Sequence, residues 1–316
     1  MSKRKAIVTG VSSFVGCHLG RAFAADYDVV AVTSRVRDAY DGVRAERLTF
    51  IEDAVRFATC DLTDADALAA LVDAHAPDVW VQHAGYADNY ASVDYGLEKS
   101  LALNVVALEP LYKNLADTGC TVIVTGSSME YASSDIANQE SDACWPELPY
   151  GVSKLAETVE ASRLAHQYSV PTRVARLYIP VGPYDAPGKL MDFVIKQLAA
   201  GEVADLSPCD QQRDFLGVDD LARAYVLMAG ESERSMFDIF NICSSQPTEL
   251  KSLLLNVANL MGADQGLLNF GAKPMRPGEP MVSYGDNAKA RDVLGWQPSN
   301  IENALSALIT HVRENA

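Results

Sequence analysis

Tyr150 and Lys154 stand four residues apart in the run Tyr150-Gly151-Val152-Ser153-Lys154. On a helix this spacing puts both side chains on one face, where an ammonium favours the phenolate and lowers the phenol's pKa. Such a pair can give or take a proton near neutral pH. Taken alone it is equally the pattern of a solvated helix face. Upstream, Ser127 and Ser128 follow the apolar run Thr121–Thr125, so their hydroxyls fall at the end of a predicted strand. Two residues beyond Ser127 stands Met129, whose thioether exchanges no proton at neutral pH. Glu130 is adjacent, but on the extended segment expected here its side chain points the other way.

A second group of residues suits an anion. Thr9-Gly10-Val11-Ser12-Ser13-Phe14-Val15-Gly16 joins a β-branched run to a helical pattern. Gly10 permits a tight turn, Gly16 lets the helix pack on the strand, and the helix N-terminus offers N–H groups to a pyrophosphate. Ser13 replaces the middle glycine of a dinucleotide fingerprint, and its hydroxyl can donate a hydrogen bond to phosphate. An ordinary strand-turn-helix is the plainer reading of the same run. The second strand ends Val32-Thr33-Ser34-Arg35, with no carboxylate for a ribose 2′-hydroxyl. Ser34 and Arg35 suit a 2′-phosphate instead, so NADP is preferred and NAD stays possible; a solvated arginine is the alternative. In Cys60-Asp61-Leu62 the carboxylate can accept from an adenine amino group, or Asp61 or Thr63 can cap the next helix.

Together these segments resemble the extended short-chain dehydrogenase/reductase family, in its nucleotide-sugar branch of epimerases, dehydratases and ketoreductases. The resemblance runs through Gly10, Phe14-Val15-Gly16, His83-Ala84-Gly85, Asn104, Gly126-Ser127-Ser128, Tyr150 and Lys154, Gln212-Arg213-Asp214-Phe215, and Arg276-Pro277-Gly278-Glu279. It implies that Tyr150 is the acid/base, that Lys154 also holds the nicotinamide ribose, and that Ser127 hydrogen-bonds the reacting sugar oxygen. It also implies a cofactor site that includes Leu62 and Ala84, and a diphosphate clasped by Arg213 and Arg276. Two arginines suit that task in so acidic a chain, though surface or interdomain salt bridges also account for them. Ser128, Tyr86 and Lys189 are further candidates for the sugar nucleotide; a polar loop and a solvated lysine explain the last two equally well. His83 is expected to be a packed, satisfied histidine.

Two departures matter. Ile179 stands where many members carry an asparagine that contacts the diphosphate, and Met129 stands where 4,6-dehydratases carry the glutamate that eliminates water. The expected reaction is therefore NADPH-dependent reduction of the C4 keto group of a nucleotide-diphosphate 4-keto-6-deoxysugar, with Gly126–Tyr131 most like reductases of a GDP-4-keto-6-deoxymannose. A 4-epimerase using NAD(P) is the alternative enzyme. A non-catalytic NADP-binding sensor or scaffold is the alternative outside enzymes.

The elements that must position these groups are legible in the period of the sequence. Short β-branched runs alternate with helical patterns through the first 180 or so residues, about the span of one βαβ-built domain. Strands are expected at Lys5–Thr9, Val29–Thr33, Arg56–Cys60, Asp78–His83, Thr121–Thr125 and Thr172–Leu177, each apolar enough for a sheet covered on both faces. Helices are expected at Val15–Ala25, Asp64–His75, Leu97–Thr118, Tyr150–Tyr168, Leu190–Ala199 and Ile301–Val312. Val218–Ala229 and Phe237–Ile242 read as a helix and a strand returning to the main sheet. The fold class is thus α/β, a doubly wound parallel Rossmann sheet with a smaller α/β substrate lobe. Residues 1–178 plus about 216–245 form the first, 179–215 plus 246–316 the second. Trp80, Trp145 and Trp296 are assigned to packing.

Composition bounds the rest. The chain has 316 residues, 48% of them hydrophobic, and a net charge of -16 that repels nucleic acid and anionic lipid. Six dispersed cysteines, without metal-ligand spacing, fit a reduced cytoplasmic protein with no metal site. The basic Ser2-Lys3-Arg4-Lys5 precedes an apolar run too short for an export signal or a membrane span. The helices at Leu97–Thr118 and Tyr150–Ala165 resemble the family's four-helix interface, which implies a homodimer.

Overall fold

The computed structural model describes residues 3–230, 235–276 and 278–315, so Ser2 of the basic leader and Pro277 of the Arg276–Glu279 motif lie outside the described residues. The first half runs β1 (Arg4–Thr9), α1 (Phe14–Asp26), β2 (Tyr27–Thr33), α2 (Gly42–Ile51), β3 (Arg56–Thr59), α3 (Ala65–His75) and β4 (Val79–Gln82). It continues with α4 (Leu97–Leu101), α5 (Leu108–Leu115), β5 (Thr121–Ser127), α6 (Pro149–Tyr168) and β6 (Thr172–Leu177). Then follow β7 (Ile179–Val181), α7 (Leu190–Ala200), β8 (Ala204–Asp205), β9 (Gln212–Gly217), α8 (Val218–Gly230) and β10 (Phe237–Ile242). The chain closes with β11 (Pro247–Glu249), α9 (Leu250–Met261), β12 (Leu268–Asn269), β13 (Val282–Ser283), α10 (Ala288–Leu294) and α11 (Ile301–Glu314).

The main sheet has the order β10-β6-β5-β4-β1-β2-β3, and each of its pairings is parallel. Its central strands are apolar along their whole length because both faces are covered; β4 and β5 are buried at every residue. One face packs on α1 and α8 around Phe23, Tyr225, Phe240 and Trp296. The opposite face packs on α3, α5 and α6 around Trp80, Leu68, Tyr112 and Leu164. The strand order reverses between β1 and β4, and this reversal opens a crevice beyond the carboxyl ends of the strands. A separate four-stranded sheet, β11-β9-β13 with β7 beside β9, has its own core with α7, α9 and α11 around Val194, Leu254 and Leu308.

Four expectations need correction. The helix expected over Leu97–Thr118 is broken: after α4 the backbone widens into a π segment at Ala102–Val106 and resumes as α5. That segment buries Asn104 completely, a polar side chain no apolar period predicts. Trp145 is 74% exposed, whereas Trp80 and Trp296 are buried as expected. The stretch after Ser127 is a one-turn 3-10 helix, Ser128–Glu130, rather than extended. Finally, α2 was not anticipated; Leu48 and Ile51 anchor it, and its Arg47 is itself buried.

Candidate functional site

The loop after β1 is drawn tight by Thr9, whose Oγ1 accepts from the N–H groups of His83 at 3.0 Å and Ala84 at 2.9 Å. Gly10 follows at φ 72°, and a Cβ there would lie 2.8 Å from the Ala84 nitrogen. Only glycine satisfies both constraints. At Gly16 a Cβ would come within 2.1 Å of the Gly10 carbonyl oxygen, so α1 rests directly on the turn. Ser13 caps α1 by accepting from the Gly16 N–H at 3.0 Å. Phe14 and Val15 head the helix, and their N–H groups meet no acceptor among the described residues. Paired donors at a helix N-terminus beside a glycine turn fit a pyrophosphate.

The Ser13 hydroxyl also reaches a histidine. Its oxygen lies 2.9 Å from His83 Nε2, and His83 Nδ1 lies 3.0 Å from Thr125 Oγ1, which in turn pairs with Tyr225 at 2.8 Å. The neutral ring satisfies both hydroxyls in either tautomer, because a serine oxygen that accepts from Gly16 can still donate to Nε2 or accept from it. Burial, with the charge of Lys154 added, pushes the histidine down to about 3. His83 is thus a packed, satisfied histidine as expected, but one that ties the glycine turn to β5. Arg47 braces the same turn, donating to the Ser12 and Tyr184 carbonyls at 3.2 and 2.9 Å.

At the end of β2, Ser34 and Arg35 are exposed. The Arg35 guanidinium stacks 4.7 Å from the Tyr40 ring centroid, and Ser34 Oγ lies 3.3 Å from the Tyr40 hydroxyl. Arg35 enters no ion pair among the described residues, so its charge remains available to an anion. Beyond β3, Asp61 accepts from the N–H and hydroxyl of Thr63 at 2.9 and 2.7 Å, which holds its carboxyl below the usual range. The cap of α3 is neither of them; Asp64 accepts from Asp66 and Ala67. Leu62 beside it is buried.

The second cluster sits where β5 meets α6. Ser127 closes β5 and caps the 3-10 turn, accepting from the Met129 N–H at 3.1 Å. Met129 is half-buried, and its carbonyl lies 2.1 Å from where a Cβ of Gly151 would stand, so the first turn of α6 is laid on the Ser127 turn. Glu130 turns inward, as expected of its direction. Its carboxylate accepts from the Ser127 N–H at 2.8 Å, Thr158 Oγ1 at 3.0 Å and Arg176 Nε at 2.9 Å. Burial pushes this carboxyl up while Arg176 pulls it down.

Pro149 opens α6, where its fixed φ costs nothing, and the next residue is Tyr150. The Tyr150 ring is flanked by Tyr90 and Tyr95, each with its centroid 5.6 Å away. Tyr95 is held by hydrogen bonds of 2.6 Å to the Tyr86 carbonyl and to Ser100, which pairs closely with Ser153. Asn104 completes this net, donating to Ser100 and Ser153 and accepting from the Tyr86 N–H at 3.0 Å. Tyr86 joins the same aromatic cluster, its ring 5.4 Å from that of Tyr95. Lys154, one turn beyond Tyr150, is buried, and its Nζ donates to Glu157 Oε2 at 2.5 Å. Lys154 lowers the Tyr150 phenol, but burial raises it further, so the phenol stands above its ordinary value rather than below. Glu157 was missed in the sequence; its only signal is its place three residues beyond Lys154.

The candidates for a diphosphate are less free. Arg213 donates to Glu279 Oε1 at 2.6 Å and to the Pro280 carbonyl at 2.7 Å, both through Nη2. Arg276 is exposed, and Lys189, which precedes α7, pairs with Asp185 at 2.8 Å. Among the described residues no group of three or more His, Cys, Asp or Glu side chains could hold a metal, and no helix is long and apolar enough to cross a membrane.

Residues 6–243 match the model of the NAD dependent epimerase/dehydratase family. The chain belongs to that family. It is an enzyme of the extended short-chain dehydrogenase/reductase type, as the motifs implied. The GDP-6-deoxy-D-mannose reductase of Pseudomonas aeruginosa is 26% identical over 97% of this chain and 96% of that protein. The UDP-glucose 4-epimerase of Mycolicibacterium smegmatis is 28% identical over 93% of each. Among solved structures, the UDP-glucuronic acid 4-epimerase of Bacillus cereus, in complex with UDP-glucuronic acid and NAD, superposes with a TM-score of 0.83 at 22% identity, covering 99% of this chain and 100% of that one. That likeness concerns the fold. Family membership makes a nicotinamide dinucleotide the cofactor, and the turn at Gly10, the uncommitted helix-head N–H groups and the switch-point crevice fit one.

Proposed function

We propose that the protein reduces the C4 keto group of a nucleotide-diphosphate 4-keto-6-deoxysugar with NADPH. The observation that carries this reading is the end of β2, where Arg35 stacks on Tyr40 beside Ser34 with no carboxylate to meet a 2′-hydroxyl. A dinucleotide carrying a 2′-phosphate is usually consumed as reductant, whereas epimerases and dehydratases recycle their hydride. Elimination is further disfavoured because Met129 holds no proton and Glu130 is fully engaged inward. The nearby deoxysugar reductase points the same way.

In this reading Gly10, Ser13, Phe14, Val15, Gly16, Ser34, Arg35, Asp61, Leu62, Ala84 and Lys154 form the dinucleotide site. The bound cofactor supplies the hydride. Ser127 fixes the sugar carbonyl, and Tyr150 gives its proton to the oxygen as negative charge develops there. Lys154 holds the ribose and stabilises the phenolate that remains. Ser128 and Tyr86 line the sugar pocket, while Arg213, Arg276 and Lys189 supply positive charge for the diphosphate. The main sheet, residues 1–178 plus about 216–245, carries the dinucleotide; residues 179–215 plus 246–316 carry the sugar nucleotide. The protein works as a homodimer in the reducing cytoplasm: Val106, Val152 and Val159 are 70%, 42% and 61% exposed on the π segment and α6, an apolar face suited to a second copy.

The test is stoichiometric. Purified protein mixed with NADPH and a GDP- or dTDP-4-keto-6-deoxysugar should oxidise one NADPH per sugar reduced. Protein that carries tightly bound NAD and interconverts 4-epimers without added reductant overturns the reading in favour of epimerisation.

A further inference from the structure

Arg47 of α2 is 6% exposed. Its Nη1 donates to the Ser12 carbonyl at 3.2 Å and its Nε to the Tyr184 carbonyl at 2.9 Å, while Nη2 donates to nothing among the described residues. Both partners are neutral. A guanidinium taken out of water is costly unless an opposite charge meets it, and among the described residues no carboxylate is paired with this one. Asp185, next to Tyr184 in the chain, is already bound to Lys189 and to the Ala186 N–H. Glu46 and Arg44, its neighbours on α2, are exposed to water. Asp219 is bound to His18. Cys17 is a neutral thiol, because burial pushes it up to about 12 against the pull of Arg47. Burial likewise draws the guanidinium below its ordinary value, as a cation short of counter-charge requires.

The carbonyl that Arg47 holds belongs to the turn between β1 and α1. Two residues beyond Ser12, the N–H groups of Phe14 and Val15 also lack acceptors among the described residues. Unpaired donors and an unpaired cation, from two helices, thus meet at one turn. The head of a helix carries only about half a charge, whereas a pyrophosphate brings more. Two carbonyls call for donors and not for a buried charge. We infer that Arg47 is the counter-charge of the dinucleotide's pyrophosphate, fixed beside the glycine turn by the Ser12 and Tyr184 carbonyls and adding a full positive charge to what the helix head supplies. Only the dinucleotide itself is needed for this, in either form and whichever way the hydride moves.

Isothermal titration calorimetry of the ligand-free full-length protein with NADPH and with NADH separates charge from hydrogen bonding. Arg47→Gln keeps a donor for the carbonyls and loses the charge; its Kd should rise roughly 10-fold or more for both dinucleotides, the scale of one charged partner lost. Arg47→Lys keeps the charge and should recover most of the affinity. Arg47→Met fills the space with neither and should lose at least as much as Arg47→Gln, so it decides where the glutamine variant does not fold. An unchanged Kd in Arg47→Gln, or an Arg47→Lys as weak as Arg47→Gln, overturns the proposal, since Arg47 is then a brace alone. A loss confined to NADPH also overturns it, because the anion served is then the 2′-phosphate. The ratio of NADPH to NADH affinity in the wild type tests the cofactor preference proposed above, so either can fail without the other.

Discussion

At the scale of single residues, the site is governed by which polar atoms are already committed. Ser13 accepts from the Gly16 N–H and lies 2.9 Å from His83 Nε2, and Arg213 is paired with Glu279. Arg35 is the reverse case, a surface arginine whose only described partner is the Tyr40 face. Arg35→Ala should lower kcat/KM with NADPH roughly 10- to 100-fold, the loss of one or two charge-assisted hydrogen bonds, and leave NADH unchanged; steady-state kinetics with both reductants checks this. His83 supplies a pH dependence. The folded chain refuses its proton until about pH 3, whereas the unfolded chain accepts it near 6.5. Stability from this group is therefore full above 6.5 and lost progressively as pH falls towards 3. In thermal denaturation the deficit of His83→Gln against wild type, largest near neutral pH, should narrow steadily below 6.5; parallel curves would show that His83 titrates normally.

At the scale of elements, runs without alternation, such as Val79–Val81 and Val122–Val124, announced buried parallel strands because few other structures tolerate them. The Tyr-to-Lys spacing announced one face of α6, and Pro149 marks its start. What stayed hidden was decided by tertiary contact. The π segment follows from the net around Asn104, and α2 is secured by Leu48, Ile51 and a buried arginine reaching the Ser12 carbonyl. Glu157 was illegible for the same reason: a carboxylate three residues from a lysine usually marks a solvated surface, and only the packed structure puts this pair inside. The glycine turn was legible, and it is also the most brittle part. Gly16→Ala brings a Cβ into the Gly10 carbonyl, a backbone atom that cannot yield. A loss of at least about 1–3 kcal/mol is expected, together with dinucleotide binding, and denaturation with and without NADPH reads both.

At the scale of the whole molecule, Val152 and Val159 leave an exposed apolar strip on α6. Val159→Glu should leave the melting temperature nearly unchanged, because the side chain is 61% exposed, and should shift sedimentation from dimer to monomer. An unchanged dimer would place the interface elsewhere. The path of the chain also constrains redesign. Strand β10 of the main sheet lies in sequence between β9 and β11 of the second sheet. The chain thus crosses from one sheet to the other after β6, after β9 and again after β10. A sugar-selecting half borrowed from another protein cannot be spliced in as one cassette: any such chimera needs three junctions, and each must rejoin a strand in register, so new specificity is better sought by exchanging side chains than by exchanging halves.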